Sequence, residues 1–300
     1  MNEDAPRPLA GITWMLVTGV LFVGVTGVVK HVGSELPAIQ SAFLRFVFGL
    51  LFFIPIIPSI LATPIDRRSM GFFLARGVVH TMGVGLWFFA MARIPMAEVT
   101  AMNYLAPVYV TLGAALFLGE KLATRRLVAI GVALLGALVI LRPGFRIVET
   151  GHIAMLGTAL CLGASYLIAK RSAGQFDPAT IVALLSLTVT ILMLPFAVAV
   201  WVQPTLAQVG WLFLVAAMAT GAHYTMTLAF RAAPVSVTQP VTFLQLIWAT
   251  AIGWFIFGET LDVWVIAGGA MIISAISYIA WREAREKQRV ITPAPEATKV

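Results

Sequence analysis

Two imidazoles and a small set of hydroxyls, amides and aromatic rings stand in otherwise apolar stretches of this chain, and their spacing is helical. Within 96–118, Thr100, Asn103, Tyr104, Pro107 and Thr111 follow i, i+3, i+4, i+7, i+11, which is one face of a helix. Around 209–230 the series is Thr220, His223, Tyr224, Thr227 and Arg231, and within 235–257 it is Thr238, Thr242 and Gln245, with Gln239 and Trp248 beside it. Arg76, His80 and Trp87 share a face of 70–91; Trp14 and Thr18, then Thr158, Ser165 and Tyr166, do so elsewhere. Polar groups inside an apolar helix are costly, so their faces are informative. One chemistry they could do is solute binding. The solute would touch Trp14 and Thr18 of a first helix, His80 and Trp87 of a third, and Thr100, Asn103 and Tyr104 of a fourth. Tyr166 of a sixth, His223, Tyr224 and Thr227 of an eighth, and Gln239, Thr242, Gln245 and Trp248 of a ninth complete the wall. Such a wall suits a polar, partly aromatic solute better than a bare ion. The alternative is that the hydroxyls and amides bond helix to helix.

Charged groups narrow the chemistry further. A histidine titrates near neutral pH, so His80 and His223 are candidates for proton coupling, against a neutral role in helix contacts. Arg45 stands about 12 Å along its helix from Pro37, where it must be paired or face water, and Glu98 is its candidate partner. Arg76 and Arg231 lie nearer helix ends and are read as snorkelling to the interface. Glu120 and Glu259 end apolar helices and are read as loop anchors. No cysteine or carboxylate accompanies the histidines at ligand spacing, so no metal site is expected. The single cysteine, Cys161, excludes an internal disulfide. No cofactor motif is found.

These groups need elements that cross a membrane. The chain has 300 residues, 60% hydrophobic and 11% charged, with a mean hydropathy of +0.95. That is too few charges to coat a water-facing surface, so an integral membrane protein in contact with lipid is expected. The net charge of +7 is spread over helix ends, as anchors and topology signals are, which argues against nucleic acid. Ten apolar segments fall near 10–30, 38–58, 70–91, 96–118, 124–141, 151–170, 178–201, 209–230, 235–257 and 262–281, each about the length of a membrane helix. The first is too long for a cleavable signal and is read as retained. Thr124 and Asp262 are expected N-caps, and Ala270 and Ser274 could permit close helix approach.

The chain also matches itself. Pro95 aligns with Pro234, an offset of 139, which brings Tyr104 onto Phe243, Asn103 onto Thr242 and Gly119-Glu120 onto Gly258-Glu259. Upstream the offset is 140, and Gly11, Thr18 and Lys30 meet Gly151, Thr158 and Lys170. With the N-terminus inside, fifteen Lys and Arg face the cytoplasm and four, Lys30, Arg93, Arg142 and Arg146, face outward. Both termini are therefore expected inside. Five helices per half is an odd number, so the second half is inverted. The expected fold is an all-α integral membrane protein of ten transmembrane helices in two inverted five-helix repeats. The expected parts are a cytoplasmic segment 1–9, repeats 10–144 and 150–281, and a cytoplasmic tail 282–300.

Leu105-Ala106-Pro107-Val108-Tyr109 with Gly119-Glu120-Lys121-Leu122, echoed by Phe243-Leu244-Gln245 with Gly258-Glu259-Thr260-Leu261, resembles the EamA domain of the drug/metabolite transporter superfamily. Arg45 within Ala42-Phe43-Leu44-Arg45-Phe46 matches an arginine often found in its second helix. The second half departs from the pattern: Leu246 replaces Pro107, and Leu185 stands where Arg45 would. The resemblance implies ten helices and a central cavity for amino acids, nucleotide-like metabolites, vitamins or drugs. A secondary transporter of a small organic metabolite in a bacterial inner membrane is expected, cycling by alternating access as a monomer or weak homodimer. Vitamin or cofactor-precursor uptake, of riboflavin or S-adenosylmethionine, is an alternative; so is a receptor or a membrane-embedded enzyme. An enzyme is not expected, because the few acids are dispersed, and no phosphate-binding G-x-x-x-x-G-K-[ST] occurs.

Overall fold

A computed structural model describes residues 8–291, apart from 34, 107, 110–111, 113–123, 146, 173–175, 234–237 and 239–240. The described chain is all-helical. Eleven α-helices follow in order: α1 Pro8–Val32, α2 Ala38–Leu51, α3 Ile57–Ala62, α4 Arg67–Met91, α5 Met96–Asn103, α6 Thr124–Leu141, α7 Thr150–Ser172, α8 Pro178–Ala199, α9 Leu206–Ala232, α10 Leu244–Phe257 and α11 Val263–Ile291. Four of them are long and apolar enough to cross a membrane, and α2 with the stretch 54–62 makes a fifth span bent by 50°. Exposed Leu127, Leu134, Leu135 and Leu138 on α6, and Ile247, Trp254 and Phe255 on α10, give those helices an apolar outer face that suits lipid. The chain is a multi-pass membrane protein.

Local chemistry sets the boundaries. Asp66, Asp177 and Asp262 each accept a backbone N–H at the start of the helix that follows, and Thr205 with Gln208 closes a reciprocal capping box on α9. Thr124 begins α6, but 121–123, which would show its capping role, lie outside the described residues. Two expected helices are broken. The second divides after Leu51, because Pro55 has no N–H and its ring crowds the Leu51 carbonyl. The fourth breaks at Tyr104-Leu105, where the bonds tighten to i→i−3, Tyr104 to Ala101 and Leu105 to Met102. Pro107 offers no N–H to the Asn103 carbonyl, which accounts for the break. The repeat mate in the second half slips at Phe243 just before α10, although Leu246 stands in place of the proline.

The packing carries a two-fold pattern. α1 packs on α9, and their mates α7 and α4 pack likewise. α1 meets α10 as α7 meets α5, and α2 meets α9 as α8 meets α4. α2 with α8, α5 with α10, and α6 with α11 are pairs of mates in contact with each other. Tyr104 and Phe243 touch edge to face at 5.4 Å, so the pseudo-axis runs between them. Gly11 lies so close to Ala233 that a β-carbon would collide there, and its mate Gly151 crowds Ile94, the mate of Ala233, in the same way. α6 and α11 approach through Gly136 and Gly268, each facing the other's carbonyl. Ala270 and Ser274 are exposed, so the expected close approach at those residues is corrected to the glycines.

One end of the bundle is tied together. Lys30 pairs with Glu259, Arg142 with Asp262, Glu98 with His152, Glu35 accepts from Gln208, and Gln40 exchanges bonds with the Val202 backbone. These contacts gather the links after α1, α4, α6, α8 and α10. The first helix of the first half therefore ends where the first helix of the second half begins.

Candidate functional site

Between the halves, side chains from five helices converge. His80 on α4 and His223 on α9 stand edge to face with 6.2 Å between ring centroids. His80 also bonds through Nδ1 to the Ser165 hydroxyl of α7 at 3.1 Å and faces Phe46 of α2 at 6.2 Å. His223 packs on Phe22 of α1 at 5.4 Å, and Phe22 meets Trp87 of α4 at 6.4 Å. Arg45, 7% exposed, and Arg76, 6% exposed, lie within electrostatic range of both imidazoles. The Arg45 guanidinium sits 3.9 Å from the centroid of the Phe46 ring. The helical period explains the convergence: Arg76, His80 and Trp87 occupy one face of α4, and His223 comes from the α9 face that packs on α1.

The set read from the sequence is divided by the structure. His80, Trp87 and His223 come together. Thr18 is buried, bonded at 2.8 Å to the Thr225 hydroxyl, and so ties α1 to α9. Tyr104 donates to the Thr242 carbonyl at 2.8 Å, across the break between the halves. Thr100 and Thr227 bond back to their own helices, at the carbonyls of Met96 and His223. Asn103 keeps a buried Oδ1 that has no hydrogen-bond partner among the described residues. Gln245 and Trp248 pack against Gly19 on α1. Trp14, 39% exposed, and Tyr224, 50% exposed, make no ring contact with the cluster. Gln239 and the side chains of Tyr166 and Arg231 lie outside the described residues, as do Pro107, Thr111 and Glu120.

Two charged assignments change, and a third gains a role. Glu98 does not reach Arg45; its Oε2 meets His152 Nε2 at 2.5 Å, both groups being buried, because α5 packs on α7. Arg76 does not snorkel to an interface but is buried near His80, since its position on α4 turns it into the bundle. Glu259 anchors a loop as expected, and does more. It accepts the Met96 N–H at 3.0 Å and pairs with Lys30 at 2.6 Å, while Lys30 also donates to the Ile94 carbonyl. His152, Phe22, Phe46 and Thr225 were not singled out from the sequence. Phe46 could have been, as the neighbour of an arginine deep in a membrane helix. At the tied end a cavity of about 370 Å3 is lined by Glu98, Glu149, His152, Glu259 and Asp262 among others.

Known proteins agree with this architecture. The chain is 30% identical to a riboflavin transporter of Rhizobium johnstonii over 95% of its length and 96% of that protein's. It is 26% identical to a riboflavin transporter of Vibrio cholerae, with 94% and 97% covered. An S-adenosylmethionine uptake transporter of Rickettsia bellii is 21% identical, with 97% and 100% covered. One solved crystal structure superposes with a TM-score of 0.60 at 16% identity over 94% of this chain and 98% of that one, a likeness of fold. The model of the EamA-like transporter family matches twice, at residues 9–142 and 149–281, one match for each half. The chain belongs to the EamA-like transporter family.

Proposed function

We propose that this chain is a secondary transporter that moves a small organic metabolite across a bacterial inner membrane by alternating access. The solute is held at the arginine–histidine centre between the halves. The observation that carries this reading is the pair of broken helices whose repeat mates, Tyr104 and Phe243, meet on the pseudo-axis. Discontinuous helices at a repeat interface suit a site that two inverted halves expose by turns. The centre lies within one chain, which supports a monomer or a weak homodimer as the working unit. Proteoliposomes loaded with a bacterial metabolite extract test the reading. One or a few metabolites should leave only when the protein is present, and an extract unchanged against empty liposomes would sink it.

A second reading, uptake of a vitamin of the riboflavin type, has support of its own. A named riboflavin transporter is 30% identical to the chain, and aromatic Phe22, Trp87 and Phe46 surround the centre. Labelled riboflavin accumulating in intact cells that carry the gene, above cells that lack it, is the result expected of that reading.

The tied end faces outward and both termini are cytoplasmic on this proposal, because fifteen basic residues then lie inside against four outside. A reporter active only in the periplasm, fused at Gln203, should give signal; fused at Val300, it should give none. The reverse pattern would invert the assignment.

A further inference from the structure

The centre is rich in groups that can only donate. A guanidinium has five N–H donors and no acceptor, and an indole has one N–H and no acceptor. Arg45, Arg76 and Trp87 are all of this kind. The Trp87 Nε1 is buried with no hydrogen-bond partner among the described residues. Ser165 is already engaged by His80. The Arg45 guanidinium stands over the Phe46 ring; stacking uses the planar face and leaves the N–H edge for bonding.

The charge at this depth is also one-sided. Among the described residues, the aspartates and glutamates lie in links, in the first turn of a helix or in the last turns of α11. Those nearest the interior are engaged elsewhere: Glu98 with His152, and Glu259 with Lys30 and Met96. Among the described residues no carboxylate pairs with Arg45. Burying positive charge is costly unless a counter-charge joins it.

We propose that the centre binds its solute through an oxyanion head group, a carboxylate or a phosphate, held by Arg45, with the aromatic body of the solute against Phe22 and Trp87. The inference rests on the reading of this centre as the solute site, and it names the class of solute. The head group brings an acceptor for Arg45 and Trp87, and the counter-charge that no described carboxylate gives Arg45. The aromatic rings explain why the body should be planar.

The test is calorimetric titration of the full chain in detergent with indole-3-acetate, indole-3-acetamide and phenyl phosphate. Indole-3-acetate should bind at least about tenfold more tightly than the amide, the ratio expected of a charge-assisted bond over a neutral one. Phenyl phosphate binding in its place assigns the oxyanion to phosphate and supports the proposal. Arg45→Gln should remove the preference for the anion while leaving the weak affinity for the amide, and Arg45→Lys, which keeps charge without the fork, should restore part of it. Equal affinity for acid and amide in the unaltered chain, or binding of none of the three, overturns the proposal even if the variants do not fold. Binding in detergent needs no transport cycle. A chain that binds the anion but moves nothing defeats the transport reading alone, and one that moves a neutral solute with no taste for anions defeats this inference alone.

Discussion

A Glu259→Ala chain is expected to open at its tied end. The carboxylate takes the Lys30 ammonium at 2.6 Å and the Met96 N–H at 3.0 Å, and its removal leaves both without that partner. Both side chains are mostly buried, so solvent compensates little. The loss should be about 1.5–3 kcal/mol, the worth of hydrogen bonds to a charged group. That is roughly a ten- to hundredfold rise in the open population. Ile94 lies behind the seal, almost wholly buried. A cysteine at Ile94, in a Cys161→Ala background, should be inert to a membrane-impermeant maleimide in the otherwise unaltered chain and reactive once Glu259 is gone. Glu259→Gln keeps an acceptor for the Met96 N–H and should fall between. A cysteine that reacts at the same rate in all three backgrounds would show that the contact does not hold the seal.

Glu98→Ala should be the more damaging change to stability. Its carboxylate and the His152 ring are both nearly inaccessible, and they meet at 2.5 Å where α5 packs on α7. Removing one partner of a buried pair costs about 3–5 kcal/mol, because the other stays buried and loses a bond that water does not replace. The melting temperature in detergent should fall sharply. Replacing both, as Glu98→Leu with His152→Leu, should recover most of the loss, since an apolar pair strands no polar group. A double variant as unstable as the single one would mean that the pair is not the source of the stability. His152 Nδ1 also accepts the Glu149 N–H, so a small deficit is expected to persist even then.

The two-repeat architecture was readable because duplication leaves its mark on residue types. Gly11 and Gly151 repeat, and the structure gives the reason: each sits where a neighbouring helix leaves no room for a β-carbon. The face of α4 with His80 and Trp87 was readable from helical period alone. Other features escaped because period gives a face but not its neighbour. Thr18 and Tyr104 stood on the right faces, yet both spend their hydroxyls between helices. Arg76 was misjudged because distance along the chain from a helix start says little about depth in a bundle. Glu98 found a histidine rather than Arg45 because α5 packs on α7, a contact no spacing reveals. The slip at Phe243 escaped for a different reason: the sequence offers no proline at the corresponding place, so the partner helix, rather than local chemistry, accompanies the break.

Tyr104 and Phe243 stand on the pseudo-axis and touch each other. In the proposed alternating-access cycle, where two halves exchange conformations, a contact on the axis is carried onto itself, while a contact at one end is carried to the other. A substitution at Tyr104 therefore raises or lowers both facing states together and alters the speed of their exchange. A substitution at Lys30 weighs on one state only, and tilts the balance between them.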